Sequence, residues 1–434
     1  MKLPDASDVN ISSLTAAMQG GDESSESIVD RCLSLIGEQD ADLRAWVTID
    51  REGAVDQARR RDEERAAGAV CGPLHGIPVG IKDIVDVAGF VTGAGSPWFA
   101  RQPPATSDAP LVAALRKAGA VIIGKTVTTQ FACFDPPPTR NPWNSDRTPG
   151  GSSSGSAAAV AAGQVPVAIG SQTGGSITRP ASFCGVCGLK PTFGTVSVAG
   201  VVPVALSLDH PGPIGRCVAD LQITLAALTG LSSVPASKSR ERPLRLGRLR
   251  GFFEDRTSAE MGSALNRALD RLMGAGLQVF DIDVPPEFTD VLVHHKRLMA
   301  CEAAAWHRRS FAVHRAEYGP CVASLIEAGL ETSAVDYLAA REHQAVLTHA
   351  MNSLAAAGDV DVLVTPATTG AAPDTSTTGD PCMNAPWSYT GMPTVSFPVG
   401  LTDENLPLAI QLAGPAGNDW ALLDAASECE RRLL

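Results

Sequence analysis

The chain has no excess of positive charge. Its 434 residues carry 35 Lys and Arg against 47 Asp and Glu, a formal net charge of −12. So acidic a chain is a poor direct binder of nucleic acid or of anionic lipid, and neither is expected as a partner. It also lacks a long apolar run. No uncharged stretch of 18 or more residues has membrane character, and the closest, Ser152 to Ala168, is rich in Ser and Gly and holds a Gln. The first residues, Met1 to Leu14, contain no apolar signal core, so a cytoplasmic protein is expected. Ten cysteines are scattered along the chain. Without a secretion signal they read as free buried thiols. There is no internal repeat. What is present is ample core-forming material, 44% hydrophobic residues with 19% charged.

Residues 1–65 read as helical. Ser12 to Met18 and Ser25 to Ile36 each open with hydroxyl residues able to cap the unpaired N–H groups of a first turn. Arg59 to Glu64 reads as a solvated helix face. From Leu74 the texture changes: Gly76 to Val87 reads as a β-segment broken at Gly and Pro, Asp108 to Ala118 as a helix, Ala120 to Ile123 as a short strand. Ala157 to Ala162 reads as a helix, followed by apolar Val165 to Ile169. Ser333 starts a long helical pattern in which Tyr337, Leu338, Leu347, Met351 and Leu354 read as core. Val360 to Thr365 and Thr394 to Phe397 read as strands returning to the sheet. This alternation predicts an α/β fold, one large domain with a mixed twisted sheet covered by helices on both faces. Its expected parts are a helical 1–65, a catalytic core 66–219, a variable helix-rich 220–357 and a C-terminal return 358–434.

The chemistry concentrates in residues 149–192. Pro149-Gly-Gly-Ser-Ser-Ser-Gly-Ser156 opens the stretch, Gly170-Ser-Gln-Thr-Gly-Gly-Ser-Ile-Thr-Arg-Pro-Ala181 continues it, and Cys184-Gly-Val-Cys187 follows. Three readings compete. A phosphate loop needs Gly-Lys-Ser/Thr after its Gly-rich turn, which this stretch lacks. A nucleophile elbow fits Gly151 to Gly155 by letter, with Ser153 at its apex. An elbow follows an apolar strand, however, and here the turn-rich Asn141 to Pro149 precedes it, with no histidine in a distinctive context to act as base. The third reading is a two-loop serine site. Thr173-Gly-Gly-Ser176 can aim several backbone N–H groups at one point, the geometry of an oxyanion hole, with Ser176 beside its own donors. Such a serine needs a base, and Lys82 is the polar residue best isolated in an apolar strand.

On these residues the chain resembles the amidase signature family. Lys82 stands in Gly-Ile-Lys-Asp as that family's catalytic lysine does. Ser176 in Gly-Gly-Ser-Ile is similar to the nucleophile. Ser152, the first serine after Pro-Gly-Gly, is similar to the bridging serine with its cis peptide, and the two serines lie 24 residues apart. The likeness is close over residues 8–219 and weak over 220–357. It is recognisable again over 360–432, through Pro386-Trp-Ser-Tyr-Thr-Gly-Met-Pro393 and Pro407-Leu-Ala-Ile-Gln-Leu412. It implies Thr173, Gly174 and Gly175 as oxyanion donors, Ser153 and Gln172 as supports behind the triad, and no metal or cofactor. Phe134 is expected on one wall of the substrate pocket, and Trp387 reads equally as its other wall or as a buried core residue. Two positions depart from the family pattern. Gln172 stands where Asp usually precedes Thr-Gly-Gly-Ser, and the usual Ser-Ile-Arg becomes Ser176-Ile-Thr-Arg179.

An ordinary lysine is charged at neutral pH and cannot accept a proton. Burial between Ile81 and Ile84 would favour the neutral amine, while Asp83 and Asp86 would oppose it if they faced the site. Lys125 and Lys190, both beside apparent turns, are the other candidate bases. Cys184 and Cys187 have zinc-like spacing but no second ligand pair, and read as buried thiols. His294-His295 reads as having no metal role, Asp209-His210 as a structural turn, and Gln130-Phe131 as a helix edge. The expected function is hydrolysis of amide or amide-like C–N bonds in small molecules, carbamates (urethanes) included, with small esters as a side activity and aryl or alkyl groups favoured over sugars. The expected assembly is a monomer or homodimer. Two alternatives stand beside it: the amidase component of a glutamyl-tRNA amidotransferase, whose partner would bind the tRNA, and a non-catalytic binding scaffold.

Overall fold

The computed structural model describes residues 9–237, 240, 242–357 and 360–433. Residues 1–8, part of the stretch read as free of a signal core, lie outside it. Among the described residues eleven strands are formed: β1 (Trp46–Ile49), β2 (Pro78–Lys82), β3 (Val121–Thr126), β4 (Val167–Gln172), β5 (Cys187–Lys190), β6 (His210–Gly215), β7 (Arg245–Leu249), β8 (Gln278–Ile282), β9 (Val362–Pro366), β10 (Thr394–Leu401) and β11 (Pro407–Ala413). They make one sheet in the order β1-β3-β2-β4-β6-β5-β10-β11-β9-β7-β8. β2 runs parallel to both neighbours, β3 and β4, and β7 runs parallel to β8 and β9; the other neighbouring pairs are antiparallel.

Both faces of the sheet are buried, and single strands show it. Successive side chains of a strand point to opposite faces. In β3, Ile122 joins one hydrophobic cluster while Val121 and Ile123 join the other; in β4, Val167 and Ile169 join the first and Ala168 the second. A strand buried on both faces loses its apolar–polar alternation, which is why these segments read as continuous apolar runs.

The N-terminal part departs from the reading in two ways. The first helix, Ile11–Gly20, is capped by Asn10, whose side chain accepts from the Ser13 N–H, and not by a hydroxyl residue. The second, Ser25–Leu43, is capped by Ser24. Residues 1–65 are also not wholly helical, because β1 pairs antiparallel with β3. Trp46 anchors that strand by donating its indole N–H to Gln164 at 2.8 Å. Gly76 to Val87 contributes only β2. Ser333 caps the helix Ala334–Ala356 by accepting from the Asp336 N–H. Among the described residues, no helix is long and apolar enough to cross a membrane. Six of the ten cysteines are buried; Cys71 and Cys321 are exposed, so the buried-thiol reading does not extend to them.

Candidate active site

β2 and β4 are parallel neighbours with Ile81 opposite Ile169, so their C-terminal ends deliver Lys82 and Ser171 side by side. Ligands of open α/β sheets collect at such strand ends. Lys82 is fully buried, and its Nζ lies 2.7 Å from Ser152 Oγ and 2.9 Å from Ser171 Oγ. Ser152 enters from the segment just before the helix Ser154–Ala161, through a cis Gly151–Ser152 peptide. Arg179 Nη2 donates to the Gly151 carbonyl at 2.8 Å.

Ser153 ties the pieces together. Its hydroxyl donates to the Ser171 carbonyl and accepts the Ser171 N–H, and its own N–H donates to the Ser176 carbonyl at 3.2 Å. The approach is so close that a Cβ on Gly170 would fall 2.7 Å from Ser153 Oγ. Ser176 keeps 8% exposure where Ser152 keeps 1% and Lys82 none. Of the three, Ser176 is the most open to solvent.

The loop from Thr173 to Ser176 leads into the helix Thr178–Cys184. Among the described residues, the N–H groups of Gly174, Gly175 and Ser176 have no protein acceptor. The next two N–H groups, of Ile177 and Thr178, are taken by Gln172 Oε1 at 3.0 Å each.

Burial pulls the Lys82 ammonium down to about 7, and the charge of Asp209 opposes the shift. Asp83 and Asp86 are not the opposing acids: Asp83 pairs with Lys125 at 2.9 Å, and Asp86 accepts from Thr92. Asp209, read as part of a turn, accepts the Thr173 hydroxyl at 2.5 Å and the N–H groups of Val204 and Ala205. Burial pushes its carboxyl up to about 7. Lys190 is also fully buried and lowered to about 7, but its Nζ donates to the Pro191 carbonyl. A lowered pKa alone does not mark the base, whereas contact with the serine hydroxyl does.

The arrangement can move a proton from a hydroxyl to an amine beside unspent N–H donors. The Amidase family model matches residues 27–423.

The chain belongs to the amidase family.

It is 34% identical to the A-type subunit of the glutamyl-tRNA(Gln) amidotransferase of Roseiflexus sp. (strain RS-1), over 98% of this chain and 96% of that one. It is also 34% identical to AtzE, a 1-carboxybiuret hydrolase subunit of Pseudomonas sp. (strain ADP), over 93% and 94%. The solved peptide amidase of Stenotrophomonas maltophilia superposes with a TM-score of 0.85 at 30% identity, covering 98% of this chain and 97% of that one. This amidase is thus a C–N hydrolase built on one large α/β domain.

Beside the loop lies a cavity of about 570 Å³. Phe134, Leu292, Met299 and Leu325 form its apolar wall, and His295 and Pro381 also line it. A Cβ on Gly174 would meet His295 at 3.5 Å and Pro381 at 3.7 Å, so the cavity borders the loop. Trp387 does not form the other wall. It is 1% exposed and stacks on Phe253 with ring centroids 5.8 Å apart, a core position.

Lys125 lies within strand β3, not beside a turn. Gly119-Ala-Val-Ile-Ile-Gly-Lys-Thr126 fits the phosphate-loop spacing by letter, but its second half is that strand and Lys125 is spent on Asp83, so there is no loop to cradle a phosphate. Gln130 and Phe131 sit on a single 3-10 turn, with Phe131 fully buried. Among the described residues, no group of three His, Cys, Asp or Glu is placed to hold a metal. Ser171, Asp209 and His295, whose Nε2 lies 2.9 Å from the Thr173 carbonyl, are the site residues that motif reading missed.

Proposed function

We propose that the chain hydrolyses amide or amide-like C–N bonds through an acyl-enzyme on Ser176, with Ser152 and Lys82 relaying the proton. The observation that carries this reading is the buried Lys82 amine 2.7 Å from the Ser152 hydroxyl. At pH 7 an ordinary lysine would pay about 4.6 kcal/mol to lose its proton. With the ammonium lowered to about 7, much of the enzyme already holds the neutral base. Neutral Lys82 takes the Ser152 proton, Ser152 takes the Ser176 proton, and Ser176 Oγ attacks the carbonyl carbon. The N–H groups of the Thr173–Ser176 loop receive the oxyanion. The relay then returns the proton to the departing amine, and water releases the acyl group. Ser153 and Gln172 act one layer behind, holding the two loops.

The cavity beside Gly174 is mostly apolar, which favours aryl or alkyl groups over sugars; Phe134 lies on its wall. Most of that wall comes from residues 220–357, to which we assign substrate selection. Carbamates and small esters fit the same acyl chemistry. The test is a panel of p-nitroanilides, primary amides and aryl carbamates on wild type and Ser176→Ala. The reading expects Ser176→Ala to fold normally and lose turnover by about 10³-fold or more. Near-full turnover in that variant overturns it.

A second reading is favoured by the names of relatives that are subunits of assemblies. In it, the chain would act on glutamine only beside partner chains. Glutaminase activity that appears only when partners are added would select this reading. A serine-directed phosphonate that fails to label Ser176 would instead point to a binding scaffold.

A further inference from the structure

We propose that His295, on the helix Val291–His314, is a positioning residue that sets the direction of the Gly174 N–H and so aligns the oxyanion site. The proposal rests on the serine-hydrolase reading above. His295 is 4% exposed, and its Nε2 lies 2.9 Å from the Thr173 carbonyl oxygen. A carbonyl oxygen only accepts, so this ring nitrogen carries the proton. Burial holds the imidazole below its usual pKa, so the ring is neutral at pH 7 and its donor tautomer is fixed by that bond.

The consequence follows from peptide geometry. The Thr173–Gly174 peptide is planar and trans, so its C=O and N–H point in opposite directions. Fixing the carbonyl on His295 turns the Gly174 N–H to the other side. Thr173 is held a second time, by its hydroxyl on Asp209 at 2.5 Å. Two successive glycines follow, and glycine lets a peptide plane flip at little steric cost. A flip would put a carbonyl lone pair where the N–H donor stood and turn an attraction for the oxyanion into a repulsion. His295 opposes that flip.

The same ring lines the cavity of about 570 Å³ and stands 3.5 Å from where a Gly174 Cβ would be. A substrate group in the cavity therefore packs against the residue that aims the donor. The alignment comes from residues 220–357, the part of the chain least like the family pattern.

The test compares His295→Ala with His295→Gln, whose Nε2–H reaches a similar distance. It reads kcat, KM, thermal unfolding, and inhibition by an aryl boronic acid, whose serine adduct places negative charge in the oxyanion site. His295→Ala is expected to lower kcat by about 10- to 100-fold, part of the loss seen when a whole oxyanion donor is removed. Boronate affinity should fall by a similar factor with KM little changed, and His295→Gln should recover most of both. Wild-type kcat and boronate affinity in His295→Ala overturn the inference. So does a loss that tracks the unfolding temperature and is not rescued by Gln. Should His295→Ala fail to fold, His295→Phe, which fills the space without a donor, replaces it, and a kcat equal to that of His295→Gln overturns the inference. Ser176→Ala is run in parallel. An inactive Ser176→Ala beside a wild-type-like His295→Ala sinks only this inference, whereas an active Ser176→Ala sinks the underlying reading.

Discussion

Gln172 Oε1 accepts the Thr178 hydroxyl at 3.1 Å, so the two departures from the family pattern meet in space. Where the family pattern puts a carboxylate and a guanidinium, this chain has a neutral pair. The same oxygen also takes the Ile177 and Thr178 N–H groups, and Gln172 Nε2 donates to Ser388 at 3.4 Å. The neutral pair thus anchors the loop in this chain without placing a charge on it.

Two variants separate those effects. Gln172→Met leaves three buried donors without an acceptor, at about 1–3 kcal/mol each, and should lower both the unfolding temperature and kcat. Gln172→Glu keeps the acceptor and adds a negative charge one residue from Ser171, which touches Lys82. It should fold and move the acid limb of the kcat/KM profile upward, because a nearby anion favours the charged amine. An unchanged limb in Gln172→Glu would remove the electrostatic half of this explanation.

The pH profile carries a sign of its own. Lys82 must be neutral to accept a proton, so kcat/KM should rise with pH through about 7. Asp209 titrates in the same region, so the apparent values belong to the pair. The Asp209 charge holds the Lys82 pKa up, so Asp209→Asn should shift the limb to lower pH while lowering the plateau through the lost Thr173 anchor. A limb that moves upward contradicts this electrostatic assignment.

Lys82 should also reveal a conflict between stability and function. Its folded pKa lies below the unfolded value, so the unfolded chain binds the extra proton between about 7 and 10.5. Wild-type stability therefore gains from this group as pH rises across that window, and loses it on the way down. Lys82→Met should abolish turnover yet be more stable at pH 7, by up to roughly 3 kcal/mol once about 1–3 kcal/mol for each serine hydroxyl left without the amine is subtracted from the ionisation cost. The advantage should shrink toward pH 10.5. Denaturant melts at pH 7 and pH 10 check both the sign and the trend, and a gap that widens with pH is the contrary result.

How legible these features were depends on how far apart their residues lie in the chain. Lys82, Ser152 and Ser176 stand in short glycine-marked motifs, because close backbone approach demands glycine near each of them, as at Gly170 against Ser153. His295 touches Thr173 across 122 positions and sits among ordinary helical neighbours, so no local pattern marks it. Asp209 stands before His-Pro-Gly and reads as a turn, although its carboxylate works on a loop 36 positions away. Ser171 was within reach: it stands one residue before the end of a strand parallel to that of Lys82, and the pairing of β2 with β4 supplies the missing step. Trp387 reads as readily as pocket wall or core until its stacking partner, Phe253, is known. The double-sided sheet was readable from apolar runs such as Val121 to Ile123, whereas β1, four residues between two helices, was too short to stand out.

The central claim is that Ser176 becomes acylated, and rapid quenching of a slowly hydrolysed aryl carbamate followed by peptide mass analysis tests it most directly. The predicted result is the added acyl mass on the peptide containing Ser176 in wild type and its absence in Ser176→Ala. An acyl group found on Ser152 or Ser153 instead, or turnover that persists in Ser176→Ala with no adduct, would contradict it.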